Sequence, residues 1–191
     1  MPRSDRELMV AFKEGDPEAF DTLLRRHERA LINYFYKMCY DRAQAEDLKQ
    51  ETFLRILRSA QRYRPEATFK TYLYTVARNL WIDRHRSRKA APRTVSADLR
   101  IGEDGSTLGD LIQSRGRGTL AELSDQEAAG AVRSALEDLP EGQRMVFVLA
   151  FDQGLKYREI SAVLGVPEGT IKSRMHAAVA RLRGLLGNLQ L

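Results

Sequence analysis

Apolar residues recur at three- and four-residue spacing along almost the whole chain, and strict apolar–polar alternation over a strand-length stretch is hard to find anywhere. This pattern predicts an all-α fold. A first helical block runs from about Asp16 to Lys89. It opens on Asp16-Pro17-Glu18, where Asp16 can cap and Pro17 suits the first helical position. Residues 90–125 interrupt the periodicity with Pro92, glycines at 102, 105, 109, 116 and 118, and several Ser and Thr, the composition of a flexible linker. A second block starts near Ser124 and runs to the end of the chain. Pro140 and the turn Asp152-Gln153-Gly154 divide it into at least three helices. The expected architecture is two helical domains, an N-terminal bundle over residues 15–89 and a C-terminal domain over 126–188, joined by the 90–125 linker. No internal repeat stands out.

A length of 191 residues suits one large domain or two small ones. The net charge of +5 would mean little if spread evenly, but it is concentrated. Nine basic residues face two acids between Arg62 and Arg93, whereas seven acids face three arginines from Thr94 to Glu127. A polyanionic partner is expected at the basic segment. The single cysteine, Cys39, has no disulfide partner and no zinc spacing, and reads as a buried thiol in a reducing compartment. No apolar run approaches the roughly 20 residues that span a bilayer, and residues 1–16 are charged rather than signal-like. A cytoplasmic protein without membrane insertion is expected. His27, His85 and His176 lie far apart, and neither a phosphate-binding glycine loop nor metal-ligand spacing occurs, so no enzyme, metal, cofactor or small-molecule substrate is expected.

Within the second block, Tyr157 to Ala178 has helix-turn-helix spacing. Ile160 and Leu164 share one helix, Gly165-Val166 form the turn, and Ile171 and Met175 lie on the next helix, which Pro167 and Glu168 begin. That second helix carries Lys172, Ser173, Arg174 and His176, side chains able to bond base edges and phosphates in a major groove. A plain helical hairpin is the other reading of the same spacing.

From Phe69 to Lys89 two stripes separate. Phe69, Leu73, Val76, Ala77 and Leu80 form a core face, while Lys70, Tyr74, Arg78, Trp81, His85 and Arg88 alternate rings with cations. The second stripe suits unpaired nucleic acid, whose bases stack on rings and whose phosphates pair with Lys and Arg. It equally suits an interhelical contact flanked by solvated charges. The preceding loop, Arg62-Tyr63-Arg64-Pro65-Glu66-Ala67-Thr68, is polar and broken by proline, and could hold an extruded base. Upstream, Ala45 to Ala60 is amphipathic. Leu48, Phe53, Ile56 and Leu57 are expected inward, and Asp47, Gln50, Glu51 and Leu54 share an outer face that suits either a protein partner or water.

Three stretches taken in order resemble the extracytoplasmic-function group of the bacterial sigma factor family: Ala45-Glu46-Asp47-Leu48-Lys49-Gln50-Glu51-Thr52-Phe53-Leu54, then Phe69-Lys70-Thr71-Tyr72-Leu73-Tyr74-Thr75-Val76-Ala77-Arg78-Asn79, then Leu139-Pro140 with the helix-turn-helix. The resemblance covers roughly residues 15–89 and 126–186. It implies that Asp47, Gln50, Glu51 and Leu54 dock on core RNA polymerase. It also implies that Arg62, Arg64, Lys70, Tyr74, Arg78, Asn79, Trp81, His85 and Arg88 open and read the minus-ten promoter element. Thr170, Lys172, Ser173, Arg174, His176 and Arg181 would read the minus-thirty-five element, the acidic linker would thread toward the polymerase channels, and an anti-sigma protein would regulate the whole. The chain departs from the family pattern at Tyr72, often tryptophan; at Lys156, usually a capping Ser or Thr; and at Ala177, Ala178 and Val179, where relatives commonly carry arginines. A conventional dimeric helix-turn-helix regulator is the alternative, although it would need a dimerising or ligand-sensing first domain.

Overall fold

The computed structural model describes residues 3–64, 67–90 and 130–186, with side chains of the fourth helix described as far as His85. The expected linker, residues 90–125, lies almost wholly outside the described residues.

The N-terminal unit begins earlier than the periodicity suggested. Helix α1, Asp5–Lys13, is started by a reciprocal capping box: the Glu7 amide donates to Ser4 Oγ at 3.3 Å, and the Ser4 amide donates to the Glu7 carboxylate at 2.7 Å. Its Leu8 and Met9 are buried. A boundary at residue 15 therefore cuts off a helix that belongs to the bundle. Helix α2, Pro17–Cys39, starts as expected, with the Asp16 carboxylate accepting from the Glu18 and Ala19 amides at 3.1 and 3.3 Å. It stops where Tyr40 turns left-handed at φ 54°. Helix α3, Arg42–Ser59, is capped by Asp41 through the Gln44 amide at 3.0 Å. A 3-10 turn, Ala60–Arg62, leads through the loop to α4, Phe69–Ala90. Leu23, Leu31, Phe35, Leu48, Ile56, Leu73 and Ala77 fill the space between α2, α3 and α4. Each of the leucine, isoleucine and phenylalanine side chains contributes roughly 1.5–3 kcal/mol by leaving water.

The C-terminal unit comprises helix α5 (130–137), α6 (Glu141–Phe147), a π-helical turn over Val148–Asp152, α7 (Tyr157–Leu164) and α8 (Glu168–Leu186). Helix α7 ends at Gly165, whose φ of +64° places it in the left-handed region that a side chain disfavours. Ile160, Val163, Leu164 and Ile171 are buried across that turn, so the expected helix-turn-helix is present. A smaller core of Ala135, Leu136, Leu139, Ala178 and Leu182 ties α5 to α8.

The two units do not stand apart. Helix α4 packs on α7, and α2 packs on α6 and the π-helical turn. Buried residues from both units form one continuous hydrophobic cluster. No helix among the described residues is long and apolar enough to cross a membrane.

Candidate nucleic-acid interface

Helix α4 has the two stripes read from its sequence, but both are covered. Phe69, Leu73, Ala77 and Leu80 are buried within the N-terminal bundle and Val76 is half-buried. On the other stripe Tyr74 is 0% and Trp81 2% exposed, because the C-terminal unit lies over them. Of the two readings of this stripe, the interhelical contact describes these rings here: they fill the space between the two units.

Lys70, Tyr74, Arg78 and Trp81 each donate to an oxygen of the C-terminal unit. Lys70 Nζ donates to the Gln153 carbonyl at 2.7 Å, and the Tyr74 hydroxyl donates to Gln153 Oε1 at 2.5 Å. Arg78 donates to the Leu164 carbonyl at 3.2 Å, and Trp81 Nε1 to Glu141 Oε1 at 2.5 Å. Thr68 Oγ1 lies 3.2 Å from Glu159 Oε1. Alongside, Lys37 pairs with Asp152 at 2.6 Å. Burial pushes the Tyr74 phenol well above its ordinary value, so it stays a neutral donor. The Tyr34 ring meets Tyr74 edge-on with centroids 5.3 Å apart. Its hydroxyl is buried without a hydrogen-bond partner among the described residues.

The remaining expected contacts are scattered around this covered stripe. Arg62 and Arg64 are exposed, as is Asn79, whose Oδ1 accepts from Arg78 at 3.0 Å. His85 is half-buried with its ring 4.6 Å from that of Trp81. The Arg88 side chain, like Pro65 and Glu66, lies outside the described residues. Tyr63, expected in an open polar loop, is instead buried at 2% exposure against Phe69 and Tyr72. Tyr72 is half-buried, packs against Tyr63 and shares a 2.8 Å hydrogen bond with Ser59.

On α3, Asp47, Gln50 and Leu54 are exposed as expected, and Glu51 is half-buried in an ion pair with Arg55 at 3.1 Å. Leu57, expected inward, is 44% exposed. With Leu54 it edges an open groove of roughly 640 Å³ that Phe12, Phe20, Leu24 and Phe53 floor. The groove joins α1, α2 and α3, so reading α3 as an isolated helix could not have found it. On α8, Lys172, Ser173, His176 and Arg181 are exposed, and Thr170 and Arg174 are half-buried. The polar face of α8 is therefore open to solvent, whereas Tyr74 and Trp81 of α4 are covered.

Two family models match the chain: Sigma-70 region 2 over residues 23–91 and Sigma-70, region 4 over residues 129–182. The ECF RNA polymerase sigma factor SigM of Mycobacterium tuberculosis is 35% identical over 187 residues, covering 98% of this chain and 87% of that protein. The chain belongs to the extracytoplasmic-function sigma factor family. Membership makes it a non-enzymatic transcription initiation factor. The sigma factor is also similar to SigW of Bacillus subtilis, 30% identical over 93% of this chain and 94% of that one. Its fold matches the solved structure of CnrH in complex with the cytosolic domain of CnrY at a TM-score of 0.69 and 23% identity, covering 98% of this chain and 100% of that one.

Two departures from the family pattern acquire physical meaning in the sigma factor. Lys156 provides no side-chain cap to α7, and Glu159 makes up the reciprocal half by accepting from the Lys156 amide at 2.9 Å. Of the three positions Ala177, Ala178 and Val179, Ala178 points into the α5–α8 core at 0% exposure, whereas Ala177 is half-buried and Val179 is 38% exposed. Only the flanking two reach solvent. Cys39, expected buried, is half-buried, and its Sγ lies 3.2 Å from the Asp41 carbonyl.

Proposed function

We propose that this sigma factor, acting in the cytoplasm, docks on core RNA polymerase through α3, opens the minus-ten element with α4, and reads the minus-thirty-five element with α8. The observation that carries the reading is the α4 stripe, where Lys70, Tyr74, Arg78 and Trp81 converge on one side of one helix and all present hydrogen-bond donors. Rings offer stacking surfaces worth about 1–3 kcal/mol per base, which offsets the few kcal/mol that unstacking a promoter base costs. Lys70, Arg78, Arg62 and Arg64 add salt-dependent phosphate affinity without reading sequence.

Polymerase docking is assigned to Asp47, Gln50 and Leu54 together with the apolar groove beside them. A helix of the partner would seat an apolar side chain between Leu54 and Leu57, while polar groups at the rim set its register. On α8, Lys172, Ser173, His176 and Arg181 form the exposed set for a major groove, with Thr170 and Arg174 at its edge. A dedicated anti-sigma protein would act by covering one of these faces.

Run-off transcription over fragments of the source genome, with purified core polymerase and with or without this protein, tests the reading. Protein-dependent transcripts are expected. Asp47→Ala with Gln50→Ala should weaken assembly with core enzyme. Holoenzyme formation at unaltered affinity would place the docking face elsewhere.

A further inference from the structure

We propose that Lys13, at the end of α1, is a positioning residue for minus-ten recognition: it fixes the main chain at Tyr63 so that Arg62 and Arg64, on either side, are presented to the DNA. This rests on the assignment of those two arginines to the minus-ten element. The contact runs in both directions. The Lys13 ammonium donates to the Tyr63 carbonyl at 3.1 Å, across 50 residues of sequence. In return, Gln61 Nε2 donates at 3.4 Å to the Lys13 carbonyl, one of the last of α1 and so without a partner further along its own helix.

Tyr63 is held on its other sides as well. Its amide donates to the Ala60 carbonyl at 3.0 Å and its hydroxyl to the Ala67 carbonyl at 3.4 Å. Its ring packs against Phe69 and Tyr72, with centroids 6.4 and 5.2 Å away. The chain leaves the 3-10 turn extended at Tyr63 (φ −60°, ψ 127°), so with this side chain inward its neighbours Arg62 and Arg64 stand outward and exposed. Helix α1 is in turn anchored on α2. Arg26 donates to the Asp5 carboxylate at 2.9 Å and to the Arg3 carbonyl at 2.8 Å, the Phe12 ring stacks on Phe20 at 4.6 Å, and Leu8 and Met9 are buried. Lys13 therefore carries a fixed position from the bundle to the arginine pair. Water could satisfy the Tyr63 carbonyl without tying it to α1, and the directed bond from a charged donor is what the lysine adds. A main chain already in place spares the loop ordering that binding DNA would otherwise cost.

The test uses holoenzyme assembled from purified core RNA polymerase. The probe is a fluorescein-labelled single strand, the non-template strand of a promoter recovered by run-off transcription, and its binding is read by anisotropy. Lys13→Met removes the ammonium and keeps the stem, whereas Lys13→Arg keeps a donor. Both are made in the wild-type chain, and Lys13→Met is also combined with Arg62→Ala and Arg64→Ala. In the wild-type chain Lys13→Met should weaken binding of the strand by about tenfold with affinity for core enzyme unchanged, and Lys13→Arg should bind as wild type does. In the chain lacking both arginines Lys13→Met should have no further effect, because a residue that acts only through Arg62 and Arg64 is silent once they are gone. An equal loss in both backgrounds would make Lys13 a DNA contact or a general support of the fold, and would overturn the proposal. Undiminished binding by Lys13→Met in the wild-type chain would overturn it too, while leaving the arginines their role. If removing both arginines leaves binding at the wild-type level, the minus-ten assignment of the pair fails first and the proposal with it.

Discussion

Placing an arginine at each of positions 177, 178 and 179 in turn should give three variants with two opposite phenotypes. Ala178 is 0% exposed and packs with Ala135, Leu136, Leu139 and Leu182. An arginine there must either overfill that small core, at about 1–3 kcal/mol, or bury an unpaired guanidinium, at a further several kcal/mol. A loss of at least ~3 kcal/mol is expected for Ala178→Arg, which in a unit of this size lowers the melting temperature by ~10 °C or more. Ala177→Arg and Val179→Arg extend from half-buried and exposed positions, where substitutions usually stay within about 0.5 kcal/mol. Each should instead strengthen duplex binding and steepen its dependence on salt by ~0.9 in the log–log slope for every phosphate newly contacted. Thermal melting by circular dichroism and anisotropy of a labelled duplex across a salt series read the two effects separately. If Ala178→Arg melts with wild type and gains salt-dependent affinity, the placement of α8 against α5 is wrong.

Two other expectations follow from local geometry. Gly165→Ala should destabilise the helix-turn-helix by about 1 kcal/mol, since the left-handed backbone costs ~1–2 kcal/mol and the stiffer unfolded chain returns part of it. Gly169→Ala lies in α8 with open space around it and no positive φ, so it should stabilise by up to about 1 kcal/mol; urea midpoints moving in the same direction for both would refute the assigned turn. The Asp5 carboxylate is raised by partial burial but lowered more by hydrogen bonds from Arg26 and His27, and ends below its ordinary value. Its contribution is therefore present above the ordinary carboxylate pKa and lost as pH falls through the depressed folded value. Asp5→Asn should flatten the acid limb of a melting-temperature profile below about pH 4, near the ordinary carboxylate pKa; an unchanged limb would remove Asp5 from the docking of α1.

Local sequence determined whatever neighbouring residues could settle among themselves. Asp16-Pro17 starts α2 because cap and ring act within one turn, and Gly165 makes the helix-turn-helix legible because a left-handed residue between two apolar repeats leaves few alternatives. The outward set Asp47, Gln50 and Leu54 followed from helical periodicity, as did the exposed residues of α8. Helix α1 was signalled by Ser4-x-x-Glu7 yet passed over, since its charged surroundings hid the short apolar run Leu8-Met9. Tertiary structure alone decided the rest. Whether Tyr74 and Trp81 face water or protein, whether Leu57 is core or groove edge, and whether Ala178 can approach DNA all depend on which element lies across from them. The groups that cap the α4 stripe, Glu141 and Gln153, come from 60 and 79 residues away in sequence. A helix's periodicity defines its faces, but only the opposing surface, brought there by the burial of the shared core, fixes what each face meets.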